Sequence, residues 1–305
     1  MRKVLLLLLL FTAVRSAYSQ DFSNKGKEFW LGYGNHVRMY QGNSQQMVLY
    51  ITSDVNTTGI VEIPGISYST PFAVGANQIT TVNIPQTAIL NSEGKFNTGI
   101  HVVAQRPVVV YGHIYNSAVS GATLCLPVAT LGKEYVSVNY TQVSNEGDSY
   151  SYFFVVATED NTTVEITPTA TTLNGWSPNT TYSITLNKGQ IYQVLSTIDL
   201  TGSTIKSVTG AGGGCKRIAV FCGSGKISIG CPSPSSSDNL FQQVYPTSTW
   251  GKKYITVSSH NSASGDHRNF YRIIKSKPDL FFEKRPNTIR SLTPRSLLAV
   301  HWWPK

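Results

Sequence analysis

Short runs in which apolar and polar residues alternate, separated by clusters of Gly, Asn, Asp and Ser, occupy most of the chain. Between residues 134 and 230 the runs are EYVSVNY, SYFFVVAT, TVEITP, TYSITL, QIYQVL, TIKSV, RIAVF and KISIG. Alternation with a period of two places every second side chain on the same face, as in a β-strand. About seven or eight strands spaced 8 to 12 residues apart, without amphipathic helices between them, predict an antiparallel β-sandwich.

A repeat organises this strand pattern. TSDVNTTGIVEI begins at Thr52 and ATEDNTTVEI at Ala157, while GKEFW, GKEYV and GKKYI begin at Gly26, Gly132 and Gly251. The successive glycines are 106 and 119 residues apart, a length that can close a core of its own. We therefore predict an all-β fold of tandem antiparallel β-sandwich-like domains, two complete and a third incomplete.

Each Asn-Thr-Thr segment is predicted to form the turn of a β-hairpin. Asp160 and Asn161 tolerate the left-handed backbone of a tight turn, and alternation resumes after them. The same segments belong to a set of four N-x-T sequons, which are candidate glycan acceptors in a glycosylating host. The sequon asparagines are Asn56, Asn139, Asn161 and Asn179.

The repeat and the terminal segments divide the chain into five parts. They are a signal peptide at residues 1–19, a first sandwich repeat at 20–130, a second at 131–249, the start of an incomplete third at 250–279, and an aberrant basic tail at 280–305. Alternation stops after Asp279, where a turn like those of the earlier copies is due. We predict that the tail is out of frame or truncated, with a genuine basic extension as the alternative.

The first residues have the features of a secretory signal. Arg2 and Lys3 precede an apolar run from Val4 to Val14, and Ala17-Tyr18-Ser19 provides a small-x-small cleavage site. The apolar run is shorter than the ~20 residues that a transmembrane helix needs, and no later stretch qualifies. We therefore predict a secreted, extracellular mature chain that begins near Gln20 without a transmembrane segment, with a cell-surface location for a full-length form.

The distribution of charge argues against a nucleic-acid partner. The formal net charge of the chain is +9. Three positive charges belong to the signal, and residues 268–305 hold nine Lys or Arg against two acids. Residues 20–267 therefore carry a net charge of −1, which does not support a basic nucleic-acid-binding face on the folded body.

The four cysteines lack C-x-x-C spacing, so a zinc ribbon or a thioredoxin-type site is poorly supported. Cys215 and Cys231 flank two β-rich runs around Gly223-Ser224-Gly225, and a hairpin that turns at these residues brings the two cysteines together. In an exported protein we predict a disulfide between them, with free thiols as the alternative. Cys125 and Cys222 are expected to be small buried apolar residues.

Known catalytic, cofactor and metal motifs are absent from the sequence. GAGGGC from Gly210 lacks the last glycine of a dinucleotide-binding loop, and GSGKIS from Gly223 lacks the upstream glycine of a Walker motif. The six histidines are not at metal-ligand spacing, and no G-x-S-x-G elbow occurs. We therefore predict no catalytic residue, no metal site and no cofactor, and a protein that is not an enzyme.

Aromatic residues give the one indication of a binding surface. Trp30 lies in a strand-like run and Trp250 just before one, which favours the core for both. Trp176, in LNGWSPN, lies in a predicted loop and is the candidate ligand-binding residue, with a structural role as the alternative.

Four longer motifs carry a resemblance to a known family. GKEFWLGYGN, RPVVVYGHIY, SYFFVVATEDNTTVEI and SDNLFQQVYPTSTWGKKYITV resemble the IgGFc-binding protein N-terminal domain family, from about Gly26 to Pro278. The resemblance implies an extracellular binding or adhesion module. The signal, the repeat and the absence of catalytic motifs lead us to predict a non-enzymatic module whose partner is a host or surface glycoprotein, a mucin or a glycan. The resemblance transfers no catalytic or binding residue. The alternatives are an extracellular hydrolase whose acidic site is assembled by the fold, and a structural stalk.

Overall fold

The computed structural model describes residues 23–210, 213–229, 237–251, 270–274 and 298–301. Over these residues the predicted all-β fold is confirmed, and the helical elements there are single 3-10 turns, none of which is long enough to span a membrane. The strands are β1 Gly26–Leu31, β2 Gln46–Ser53, β3 Thr57–Ile63, β4 Tyr68–Val74, β5 Gln78–Ile84, β6 Gly94–Phe96, β7 Ile100–Tyr115, β8 Ser120–Leu124, β9 Glu134–Val136, β10 Ser151–Ala157, β11 Thr162–Thr167, β12 Tyr182–Leu186, β13 Ile191–Ser196, β14 Thr204–Val208, β15 Ile218–Ile227, β16 Asp238–Gln243, β17 Phe270–Ile273 and β18 Leu298–His301. The 3-10 turns are Pro64–Ile66, Gln86–Ala88, Val128–Thr130 and Thr247–Thr249.

The first half of the body is built around one long strand. β7 has 16 residues and pairs with the strands of two sheets, which it joins into one seven-stranded network. Its residues 100–104 pair with β1 and β3, and β4 extends this sheet, which we call sheet 1. Its residues 109–115 pair with β2 and β8, and β5 extends this second sheet, sheet 2. All of these pairs are antiparallel, and apolar side chains of both sheets contribute to one core.

The second half repeats the same strand order. Sheet 3 contains β16, β15, β10, β13 and β6, and sheet 4 contains β12, β11, β14 and β9. β9 takes the place of β1, β10 to β13 take the places of β2 to β5, and β16 takes the place of β8. β14 and β15 together replace β7, because the chain leaves the strand between Val208 and Ile218. The sequence repeat therefore corresponds to a repeat of topology.

The Asn-Thr-Thr segments are turns, but the prediction that they form hairpins was wrong. β2 pairs with β5 and β7, and β3 pairs with β4 and β7, so the strands beside the first turn do not pair with each other. β10 and β11 likewise belong to different sheets. Asn161 has the expected left-handed backbone, with φ of 53°. The apolar and polar residues on either side of a turn alternate in the same way whether the turn joins two packed sheets or two paired strands. The sequence pattern therefore could not distinguish this turn from a hairpin.

The predicted turn at Gly223-Ser224-Gly225 was also wrong. These residues lie inside β15, which is buried along its whole length. A Cβ on Gly223 would lie 1.9 Å from the carbonyl oxygen of Leu240, so this glycine permits a close approach of β16 rather than a turn. The hairpin that motivated the disulfide therefore does not form. Cys215 is half-buried and Cys231 lies outside the described residues, so the disulfide itself stays a prediction.

Sheet 3 lies between two hydrophobic clusters. Every residue of β10 is buried. Tyr152, Phe154 and Val156 pack with the first half of the chain, whereas Phe153 and Val155 pack with the second half. This division follows from the strand geometry, because successive side chains point to opposite faces of a sheet. The two halves therefore share sheet 3 as a common packing layer.

Buried hydrogen bonds also join the two halves. β6 lies before the predicted boundary at residue 130 and yet pairs with β13 in sheet 3. The buried Gln193 side chain accepts a hydrogen bond from the N–H of Asn35 at 3.0 Å and donates one to the carbonyl oxygen of Ser92 at 2.8 Å. The Glu93 carboxylate accepts a hydrogen bond from the N–H of Leu195 at 3.1 Å. Separation of the halves would leave these buried groups unpaired, which is costly.

The Gly-Lys-Glu motif and the proline that precedes the next copy form the repeat junction. A Cβ on Gly26 would lie 2.1 Å from the Cβ of Pro127, and a Cβ on Gly132 would lie 2.3 Å from the Cβ of Pro246. Each of these prolines directly precedes a 3-10 turn. Gly26 and Gly132 have no side chain, and the space beside them is filled by Pro127 and Pro246, respectively.

In the C-terminal part of the chain, the structure describes two short strands, β17 and β18. β17 pairs with β18, so the predicted basic tail contains a strand. The Arg272 guanidinium forms an ion pair with Asp199 at 2.5 Å and lies 4.1 Å from the ring centroid of Tyr140. Arg272 therefore takes its contacts from the second half of the body. Most of the sequence after Asp279 lies outside the described residues, and its aberrant origin stays a prediction.

Candidate functional site

The outer face of sheet 2 is the candidate site. Side chains alternate along each strand, so one side of β2 and β7 packs into the core and the other points outward. Tyr50 on β2 lies opposite Tyr111 on β7, and Leu124 on β8 lies on the other side of Tyr111. His113 and Tyr115 follow at alternate positions of β7. We call Tyr50, Tyr111, His113 and Tyr115 the tyrosine face.

Rings and hydroxyl groups dominate this surface. Tyr111 is 42% exposed, and the other three side chains of the tyrosine face are half-buried. Within the described pairs of sheet 2, no outward position holds Asp, Glu, Lys or Arg. Val48 shares this side of the sheet but is buried, and the outward residues around the tyrosine face are Gln46, Thr52, Ile79, Thr81, Asn83, Val109, Ser120, Ala122 and Leu124.

Ring contacts hold the tyrosine face in place. The His113 ring stacks on Tyr115 with centroids 4.6 Å apart and contacts the Tyr50 ring at 5.9 Å. Nε2 of His113 lies 2.9 Å from Oγ of Ser120. Partial burial lowers the pKa of His113 from its ordinary value of 6.5, because burial disfavours the charged imidazolium. The imidazole is therefore predominantly neutral at pH 7, and the outward side chains of the described pairs of sheet 2 carry no charge.

Trp176, the candidate from the sequence, belongs to an aromatic stack in the second half. Its ring is parallel to those of Tyr182 and Tyr192, with centroids 4.4 and 5.3 Å away. Since Tyr182 lies in sheet 4 and Tyr192 in sheet 3, the stack links the two sheets. Trp176 is half-buried and packs against the core of the second half. These contacts favour the structural alternative, and a role in ligand binding stays a prediction.

The tyrosine face was not predicted from the sequence, although one signal for it is present. In RPVVVYGHIY the residues Tyr111, His113 and Tyr115 alternate with buried Gly112 and Ile114. Alternation in which the outward residues are aromatic rather than charged indicates a contact surface. The position of Tyr50 beside them depends on the pairing of β2 with β7, which no local pattern reveals.

The described residues contain no group of three or more His, Cys, Asp or Glu arranged to hold a metal ion. Cys125 and Cys222 are fully buried, which confirms that prediction. Burial raises the pKa of each thiol to about 12, because the thiolate would lose its hydration. Neither cysteine is therefore a nucleophile at neutral pH.

The four sequons differ in their accessibility. Asn139 is 3% exposed, and its amide nitrogen donates hydrogen bonds to the carbonyl oxygens of Tyr152 and Gly223 at 2.6 and 2.8 Å. The other three sequon asparagines are exposed. A glycan attached to the Asn139 amide would remove a donated hydrogen and has no space in a close-packed interior. Asn139 is therefore a structural residue.

Folded protein secreted by a glycosylating host is expected to carry no glycan at Asn139, whereas the exposed sequons remain open to modification. Mass spectrometry of tryptic glycopeptides measures the occupancy of each site. A soluble protein with the thermal stability of the unmodified chain and a glycan on Asn139 would contradict the buried position of this residue.

Comparison with protein families places the chain in a known group. A family model described as IgGFc binding protein matches residues 121–295, which is more than half of the chain. The match begins in β8, includes the second half of the body and ends beyond Asp279, whereas the tyrosine face precedes it. Most of the first half lies outside the matched residues, and its relation to them is the strand topology that the two halves share. No curated protein and no solved structure gives a significant match.

Proposed function

Since the chain belongs to the IgGFc binding protein family, we propose that it is an extracellular adhesion module that binds glycoproteins such as mucins through their glycans. The family is a binding family, which supports a non-enzymatic role. Secretion and adhesion are part of this proposal, and the amino-terminal signal sequence supports them.

The tyrosine face is the observation that carries the glycan part of the proposal. A sugar ring presents flat patches of C–H groups edged by hydroxyls. Tyrosine rings offer broad amphipathic contact area with few rotamers to order, and Thr81, Asn83 and Ser120 surround them with adaptable hydrogen-bonding groups. The outward side chains of the described pairs of sheet 2 carry no charge, so we propose a neutral glycan segment as the ligand.

Tyr111→Ala is expected to weaken binding to immobilised mucin by about 30-fold, because a central aromatic anchor contributes about 2 kcal/mol to binding. Biolayer interferometry with the mature chain gives the dissociation constant. Tyr245→Ala is the matched control, since Tyr245 is 50% exposed in the second half of the body. It should bind like the parent, and both variants should keep the parental melting temperature.

Two further measurements test the kind of ligand. Enzymatic removal of the mucin glycans should abolish binding. For a neutral, unsulfated glycan, a change from low to physiological salt should alter the affinity little, because the side chains of the tyrosine face carry no charge. Parental affinity in the Tyr111→Ala variant would exclude the tyrosine face. Undiminished binding to deglycosylated mucin would exclude the glycan.

A further inference from the structure

A cleft between the two halves collects four positively charged side chains. Its volume is about 550 Å³, within the ~300 to 1,000 Å³ typical of ligand pockets. The charged residues that line it are Lys133, Lys188, Lys216, Arg217, Glu28 and Glu159. Glu28 belongs to the first Gly-Lys-Glu motif and Lys133 to the second, so the cleft lies where the repeated motifs of the two halves meet.

Positive charges outnumber negative charges among the residues that line this cleft. The four cations face two carboxylates, which leaves a local net charge of +2. One of those carboxylates, Glu28, has Oε1 3.0 Å from Nε2 of His101. In the part of the chain that the structure describes, none of the four cations forms an ion pair. Residues 20–267 as a whole carry a net charge of −1, so the positive charge of the lining residues is a local excess.

Three of the four cations are held in place by their neighbours. Nζ of Lys188 lies 5.8 Å from the ring centroid of the buried Trp30. Nζ of Lys216 donates a hydrogen bond to a backbone carbonyl of the second Asn-Thr-Thr turn, and Nη1 of Arg217 donates one to the carbonyl oxygen of Val128 at 3.3 Å. Side chains that are already ordered lose less conformational entropy when a ligand binds.

We infer that this cleft binds an oxyanion, namely a sulfate or carboxylate group carried on a saccharide chain. Ammonium and guanidinium groups form charge-assisted hydrogen bonds with such oxygens. A concave site lined by one sign of charge also concentrates ligands of the opposite sign. None of the lining residues belongs to sheet 2, so the cleft is separate from the tyrosine face. The cleft would recognise acidic glycans, whereas the tyrosine face would recognise neutral ones.

Titration calorimetry with the mature chain tests this site. The probes are a sulfated hexasaccharide, its desulfated form and sodium sulfate. The parent should bind the sulfated sugar more tightly than the desulfated one. The double variant Lys133→Gln/Lys188→Gln should bind the sulfated sugar at least about tenfold more weakly, because two of the four attractive charges are removed.

Lys95→Gln/Arg106→Gln is the matched control, because both side chains are exposed outside the cleft and the change in net charge is the same. It should bind the sulfated sugar within about twofold of the parent, since neither side chain lines the cleft and interactions between exposed charges are screened by salt. An equal loss in both double variants would show that overall charge is responsible and would overturn the inference. Equal binding of the desulfated sugar would overturn it as well.

Displacement by sodium sulfate distinguishes free sulfate from a sulfated saccharide as the ligand, and the Tyr111→Ala variant distinguishes the cleft from the tyrosine face. If sodium sulfate displaces the sugar at equal sulfate concentration, the oxyanion chemistry holds and free sulfate is the ligand. If it displaces the sugar only in large excess, the saccharide contributes and the sulfated glycan is the ligand. Tyr111→Ala should leave this titration unchanged, so failure of the tyrosine face and failure of the cleft give different results.

Discussion

Replacement of Phe154 by alanine is expected to lower the free energy of unfolding by about 3 to 5 kcal/mol and to destabilise both halves of the body together. Phe154 is fully buried in sheet 3, and its ring stacks on Phe221 with centroids 4.8 Å apart. The first half packs against the same ring, since a Cβ on Gly32 would lie 3.2 Å from it. The cavity would open in the layer that both halves use.

Denaturant unfolding measures the loss of stability, and hydrogen exchange with mass spectrometry measures where it occurs. Protection should fall by similar free energies in β2 of the first half and β11 of the second. Ile79→Ala is the control, because Ile79 is 69% exposed and surface substitutions change stability by about 0.5 kcal/mol or less. Loss of protection in β11 alone would show that the halves unfold independently, contrary to a shared layer.

Gly223→Ala is expected to cost about 3 kcal/mol or more, although it adds only one methyl group. The new Cβ would lie 1.9 Å from the carbonyl oxygen of Leu240 and 2.6 Å from the hydroxyl of Tyr152. That hydroxyl donates a hydrogen bond to the same carbonyl oxygen at 3.1 Å. Neither atom can move without disturbing the pairing of β15 with β16.

Gly214→Ala is the matched control for this substitution. Within the described part of the chain, a Cβ on Gly214 has no atom within 4 Å, so the change should be neutral or should stabilise slightly through the unfolded chain. Melting temperatures of the two variants measure the difference. A Gly223→Ala variant as stable as Gly214→Ala would mean that Gly223 does not lie against β16, and the original prediction of a turn there would regain support.

The errors in the sequence-based predictions concern strand pairing rather than strand position. The turn at Asn161 is where the pattern placed it, but its flanking strands belong to two sheets. Gly223 and Gly225 have the composition of a turn, yet they are small because Leu240 and Asn35 approach them closely. In both cases the residue type suits the local backbone, but the reason that it is needed is a contact with a distant part of the chain.

Period-two alternation, turn residues and the spacing of Gly-Lys-Glu were sufficient to show an all-β chain that repeats, with Cys125 and Cys222 buried. These features are local, because each strand carries its own pattern of inward and outward residues. The sharing of sheet 3 between the halves, the tyrosine face and the cationic cleft became visible in the folded chain. Each of them joins residues from strands far apart in the sequence, and alternation shows which side of a strand is buried without showing which strand lies beside it.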